Sequence, residues 1–221
     1  MFLHLRRSLL CLSSFFSAVA AADVPIQLID TNGAPVANAV VLAAAAQAKE
    51  LAVVNSVLID QINMQFSPHV VVAPPNTPVY FPNSDKTRHQ VYSFSAPNNF
   101  ELKLYRQKDA PPVQFSSLGV VELGCNIHDS MKGYIYVSDV AVYGVSDGQG
   151  RLNLATNVTA KETITLDIWH PTMGVQKPYS VNYQQTQPSQ AIRIPIQIIN
   201  TETPVSSTLK DRLQRFKVGN D

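Results

Sequence analysis

The stretch that most limits how this chain can fold is Gly119-Val-Val-Glu-Leu-Gly-Cys125-Asn-Ile-His128-Asp-Ser-Met131. Its first half alternates apolar and polar side chains, as a half-buried strand does. A glycine ends the alternation, and a thiol, an imidazole and a thioether follow at spacings i, i+3 and i+6. Side chains along a regular strand switch faces with period two, so a strand alone cannot aim all three at one point. A short loop at the end of a sheet can. A second imidazole, His89, lies upstream, after the polar run Pro82-Asn-Ser-Asp85-Lys-Thr-Arg88 and before the strand-like Gln90-Val-Tyr-Ser-Phe94.

A thiolate, two imidazoles and a weak axial thioether form the donor set of a blue-copper electron-transfer centre. Cys125, His89, His128 and Met131 supply that set, which implies one mononuclear copper as cofactor. Each residue also has a plainer reading. Cys125 can be a small buried hydrophobe and Met131 a core residue under the loop, and His89 can be an ordinary loop histidine. Their joint placement at the ends of strand-like runs favours ligation. His69, at a strand start, and His170, in Trp169-His-Pro171, read as structural, His69 as a hydrogen-bond partner near the metal loop.

Residues 1–22 carry Arg6 and Arg7, an apolar stretch from Leu9 to Ala20 and the small-residue run Ala18-Val-Ala-Ala-Ala22. This is the pattern of a secretory signal peptide cleaved after Ala20 or Ala22, with an apolar core too short to span a bilayer. Export to the periplasm or beyond is therefore expected, and His4 and Cys11 leave with the leader. Leu10 stands before Cys11 where a lipoprotein signal wants a small residue. Cys125 is then the one remaining cysteine, and an unpaired thiol in an exported protein points to chemistry or to an intermolecular bridge. Of 17 Lys and Arg against 16 Asp and Glu, the leader removes two arginines and no acids. The near-neutral balance argues against a nucleic-acid partner, which requires a basic patch.

The remaining chain reads as all-β. Val24 to Ile29 and Val36 to Leu42 alternate on either side of a Thr31-Asn-Gly-Ala-Pro35 turn, predicting two strands in a tight connection. Residues 43–50 have helix propensity over barely two turns, a short helix or a crossing linker. Strands are predicted over 53–59, 69–73, 77–81, 90–94, 113–115, 119–123 and 133–137, with 96–112 a long irregular excursion containing Pro97, Pro111 and Pro112. Val140 to Leu154 predicts strand, Asp-Gly turn and strand, and Thr163 to Trp169 alternates cleanly. Ala191 to Ile199 predicts a closing strand. In the polar tail from Thr201 to Asp221, Leu209, Leu213 and Phe216 have the spacing of one face of a short surface helix, and a disordered tail is the other reading.

On these motifs, residues of about 53–138 resemble a cupredoxin: His89, then Cys125-x-x-His128-x-x-Met131 just before a terminal strand, with a short ligand loop similar to that of amicyanin. Ile59-Asp-Gln61, Phe66-x-Pro-His69-Val, Phe81-Pro-Asn-Ser-Asp85, Leu104-Tyr-Arg106 and Cys125-Asn-Ile-His128 are similar to the plastocyanin-like proteins labelled methylamine utilization proteins. Two positions depart from the pattern. Gln90 stands where cupredoxins place an Asn that helps brace the Cys sulfur, and Asp129 stands where relatives have Pro, a carboxylate expected to lower the reduction potential. Asp30-x-x-Gly33-x-Pro35-Val and Ser146-Asp-x-x-Gly150-Arg-Leu with Ile168-Trp-His-Pro171 resemble a carboxypeptidase-regulatory-like sandwich.

The resulting expectation is a cupredoxin Greek-key sandwich inserted into, or joined to, a second Ig- or transthyretin-like sandwich. Its divisions are a leader at 1–22, first strands and junction at 23–50, the cupredoxin at 51–138, the rest of the second sandwich at 139–200 and a tail at 201–221. The resemblance implies single-electron transfer to a redox partner such as a c-type cytochrome or a periplasmic oxidoreductase, docking around Ile127 and His128. Copper delivery or buffering is the alternative. A structural or adhesive sandwich with a vestigial site is a third reading, and the complete donor set counts against it. No Gly-x-Ser-x-Gly elbow or His-Glu-x-x-His pair is present, and nine glycines leave little room for a phosphate-cradling loop, so a non-enzymatic protein is expected.

Overall fold

The computed structural model describes residues 23–43, 53–106, 110–156, 163–174, 176–184 and 191–197. The leader, the expected helix or linker beyond Ala43 and the expected tail, helical or disordered, lie outside the described residues. The strands are β1 (Val24–Ile29), β2 (Val40–Ala43), β3 (Val57–Leu58), β4 (Asp60–Ile62), β5 (Gln65–Ser67), β6 (Val70–Ala73), β7 (Val79–Tyr80) and β8 (His89–Ser93). They continue as β9 (Phe100–Tyr105), β10 (Gly119–Cys125), β11 (His128–Val137), β12 (Val142–Val145), β13 (Arg151–Leu154), β14 (Thr163–Trp169), β15 (Tyr179–Gln184) and β16 (Ile192–Pro195). Apart from these, the described residues include a 3-10 turn at Pro171–Met173. The chain is all-β.

The largest sheet runs β6-β11-β10-β8-β9. Two antiparallel hairpins, β8/β9 and β10/β11, supply four of its strands, and β6 adds in parallel to β11. Facing it are the short pairs β3/β7 and β4/β5, extended by bridges from Gln61 to Asn83 and from Val79 to Val113. Val91, Val121, Leu123, Ile135 and Val137 from the sheet meet Ile59, Phe66, Val79, Phe81 and Phe115 from the opposite side in one buried cluster. Along β8, β10 and β11 the core residues follow the period-two burial a pleated sheet imposes, while β9 slips by one residue between Leu102 and Tyr105.

A three-stranded sheet, β13-β1-β16, and a four-stranded sheet, β12-β2-β14-β15, hold a separate cluster between them, including Ile26, Leu28, Val41, Ile164, Leu166 and Ile168. Strands before residue 44 and after residue 141 build both sheets. β2 is buried on both faces: Val41 and Ala43 point into this cluster, while Val40 and Leu42 join Val70, Val72, Tyr134, Tyr136 and Trp169 in a third. That third cluster is an apolar seam between the four-stranded and five-stranded sheets. Trp169 is its centre, with Tyr134 and Tyr136 rings each 5.6 Å away.

Several sequence expectations need correction. β1 and β2 are not paired with each other; they belong to different sheets, and residues 30–39 cross between them. The same holds for β12 and β13 across the Asp147 turn. Both turns satisfy their backbone locally instead of through a hairpin ladder: the Asp30 carboxylate accepts from Asn32 and Ala34, and the Asp147 carboxylate from Gln149 and Arg151, all at 2.8 Å. The 96–112 excursion contains an edge strand, β9, whose Phe100-Glu-Leu-Lys-Leu-Tyr105 alternation is masked by flanking prolines. Val113 makes a single bridge where a strand was expected, the strand expected over 53–59 shortens to 57–58, and β15 was not anticipated. Ala43 ends β2, not a helix.

Candidate metal centre

Three strands deliver their core-facing rows to the same end of the sheet. On β10 the row is Val121, Leu123, Cys125; on β8 it is His89, Val91, Ser93; on β11 it is Met131, Ile135 and Val137. Period-two alternation therefore puts Cys125, His89 and Met131 on the interior side. His128 has the wrong parity for this row, and a break in the ladder resolves the conflict. Gly124 pairs with Lys132, but the next residue, Cys125, pairs with His128, so residues 129–131 bulge out of register. The expected short ligand loop is thus a two-residue turn, Asn126-Ile127, followed by this irregularity. Bulges re-aim side chains in this way.

Gly124 is required by its neighbour. A Cβ built there would lie 2.7 Å from Cζ of Tyr92, its cross-strand partner. The buried Tyr92 ring so covers the backbone next to Cys125. Its hydroxyl pKa is raised, chiefly by burial and then by the nearby Cys125, Asp129 and Glu122 charges.

Cys125 Sγ lies 3.8 Å from His89 Nδ1 and 3.8 Å from His128 Nδ1. The candidate ligand atoms of all three residues lie within 4.8 Å of one another. The two imidazole rings sit 4.9 Å apart at 56°. His89 is fully buried, and His128 is half-buried at the surface. With zinc-type bond lengths of about 2.3 Å to sulfur and about 2.0–2.1 Å to nitrogen, an angle of about 120° at a shared ion places S and N about 3.8 Å apart. The cluster is therefore spaced to coordinate a metal ion, and its soft-plus-imidazole character suits copper.

Met131 is 1% exposed and packs in the same buried cluster as Cys125. Ile127, at the turn between Cys125 and His128, is 46% exposed. Asp129 is also exposed, so its charge is screened by solvent. A second carboxylate, not expected at the site from sequence, is in direct contact with a candidate ligand: Asp85 Oδ2 is 2.8 Å from His89 Nε2. Burial acts to raise the Asp85 carboxyl, but N–H donation from Met64, the bond with His89 and N–H donation from Asn63 together hold it below the usual range. The signal available in sequence was its position four residues before His89.

His69 and His170 are not part of the cluster, but His69 hydrogen-bonds the main chain of Lys132 next to Met131, as a partner near the metal loop. His69 is edge-on to Tyr134 at 5.5 Å, and His170 caps the 3-10 turn with Nδ1, accepting from the Thr172 N–H. Both are held below the usual histidine range, mainly by burial.

No protein-family model matches the chain, and no curated protein matches it. Among solved structures, it is similar to a copper-containing nitrite reductase from Thermus scotoductus, at 23% identity and a TM-score of 0.36, covering 41% of this chain and 25% of that one. It is similar to the oxidized state of a proline-to-alanine mutant of amicyanin, at 16% identity and a TM-score of 0.35, covering 38% and 83%. It is also similar to a purple cupredoxin from Nitrosopumilus maritimus, at 22% identity and a TM-score of 0.34, covering 38% and 100%. The chain thus spans a quarter of the nitrite reductase.

Proposed function

We propose that this protein is an exported, cupredoxin-like type 1 copper protein that carries single electrons between redox partners. The observation that carries the reading is the convergence of one buried thiol and two imidazole Nδ1 atoms at 3.8 Å spacing. When bound, copper would supply a one-electron couple between Cu(I) and Cu(II). Cys125 would give the thiolate, His89 and His128 the imidazole donors and Met131 a long axial contact. The surrounding strands hold the donors in place, so little rearrangement accompanies the change of charge.

His128 and the exposed Ile127 beside it form the surface where a partner such as a c-type cytochrome or a periplasmic oxidoreductase would dock. The seven strands around the outer core would form a carboxypeptidase-regulatory-like sandwich into which the copper unit is inserted. On this reading no substrate is turned over.

The test is addition of Cu(II) to the purified mature protein. An intense thiolate-to-copper absorption band and narrow copper hyperfine splitting are expected, and Cys125→Ser should remove both. A colourless wild-type adduct overturns the proposal. Rapid loss of Cu(I) to a chelating acceptor protein, with slow electron self-exchange, would instead assign the site to copper delivery.

A further inference from the structure

We infer that Asp85 is a positioning residue that fixes the metal-facing nitrogen of His89 and biases the centre towards its oxidised state. The inference rests on the copper reading above and adds a residue to it.

A neutral imidazole has one N–H and one lone pair, and the hydrogen bond at one nitrogen decides which nitrogen is left for a metal. In His89 the two ends face different groups: Nδ1 faces Cys125 Sγ, and Nε2 faces Asp85 Oδ2 at 2.8 Å. An ionised carboxylate can only accept, so the proton resides on Nε2 and the lone pair is aimed at the thiol. The His89 side chain is completely buried and that of Asp85 is 17% exposed, so water competes poorly for this bond.

Asp85 is itself held. The Asn63 N–H donates to Oδ1 at 2.7 Å and the Met64 N–H donates to Oδ2 at 2.9 Å. The Asp85 N–H donates to Asn83 Oδ1 at 3.0 Å, and Asn83 Nδ2 donates in turn to the Thr87 and Tyr105 carbonyls. The turn that offers two consecutive amides to one carboxylate needs φ of +54° at Asn63 and +59° at Met64. Positive φ at both central residues is what the type I′ turn of a two-residue hairpin uses, and Asn63-Met64 is that loop between the paired Ile62 and Gln65. The hairpin tip thereby presents both amides to the Asp85 carboxylate. Here it seats a negative charge one imidazole ring from the cluster, where charge favours the more positive metal state.

A purely structural Asp85 would pin the β4/β5 turn and nothing more. The two roles separate by experiment. In the metal-free wild-type protein, long-range proton–nitrogen NMR correlations should report His89 as the Nε2–H tautomer, and Asp85→Ala should give mixed tautomers. In the copper-loaded protein, Asp85→Asn should raise the reduction potential by the equivalent of about a tenfold change in relative affinity for the two oxidation states, about 59 mV for one electron. Its blue band should persist.

A wild-type Nδ1–H tautomer, or a change under about twofold in Asp85→Asn, overturns the inference. Loss of stability with an unmoved potential assigns Asp85 to the turn alone. Should the wild-type protein take up copper without colour, the electron-carrier proposal fails, while the tautomer of the metal-free protein still decides the role of Asp85.

Discussion

Met131 shows how one side chain can answer to two constraints. It lies on the interior row of β11 and packs with Leu123 and Phe66 in the buried cluster, as a flexible apolar residue should. It also follows His128 by three residues, where an axial donor is wanted. Met131→Leu keeps volume and apolar character, so it should cost less than about 1.5 kcal/mol in stability. If Met131 is the axial donor, the same change shifts the reduction potential while copper stays bound, which cyclic voltammetry on the loaded protein checks. Gly124 answers to one constraint alone. Gly124→Ala would drive a methyl into the Tyr92 ring, and overpacking of this kind typically costs about 1–3 kcal/mol, measurable as a lower urea midpoint.

At the scale of elements, the ligand hairpin depends on a register break, and the outer sheets depend on crossings. Residues 30–39 and 146–150 both pass from one outer sheet to the other, and they meet where the Leu28 N–H donates to the Gly150 carbonyl at 2.7 Å and Val36 N–H donates to the Leu28 carbonyl at 3.0 Å. Gly150 sits at φ +70°, and a Cβ there would fall 2.3 Å from the Leu28 carbonyl oxygen. Gly150→Ala therefore combines a left-handed backbone, costing about 1–2 kcal/mol, with a clash against rigid main chain. Marked destabilisation is expected, read by thermal unfolding, with metal uptake by the remaining folded fraction unchanged, because the turn contributes no residue to the His89, Cys125 and His128 cluster.

For the whole molecule, the seam around Trp169 joins the sheet that carries the candidate ligands to the outer sheets. Trp169→Ala should cost about 3–5 kcal/mol, as large-to-small changes at fully buried aromatics do. His69 and His170 flank this seam, and both are held below the ordinary value of 6.5, chiefly by burial. A base with a depressed folded pKa takes up its proton more readily in the unfolded chain, so stability rises with pH where the two states differ. Their contribution is complete above about pH 6.5 and is lost as the pH falls from there through the folded values. The urea midpoint should drop between neutral pH and about pH 5, and His69→Gln with His170→Gln should flatten that dependence.

What sequence alone determined follows from local periodicity and spacing. Alternation over 119–123 and 163–169 placed β10 and β14, and the spacing of Cys125, His128 and Met131 with His89 upstream named the candidate donors. Short-range chemistry writes such features into neighbouring residues. Pairing between distant segments does not appear there. Whether β1 would join β2 or cross to β13 and β16 was decided by how the two outer sheets share a core. The parity conflict between His128 and Met131 was settled by a slip of register against Gly124 and Cys125. Asp85 acquired its place only when the hairpin tip at Asn63 and Met64 and the loop before β8 came together around His89, because long-range hydrogen bonds and packing, unlike strand periodicity, exist only in the folded chain.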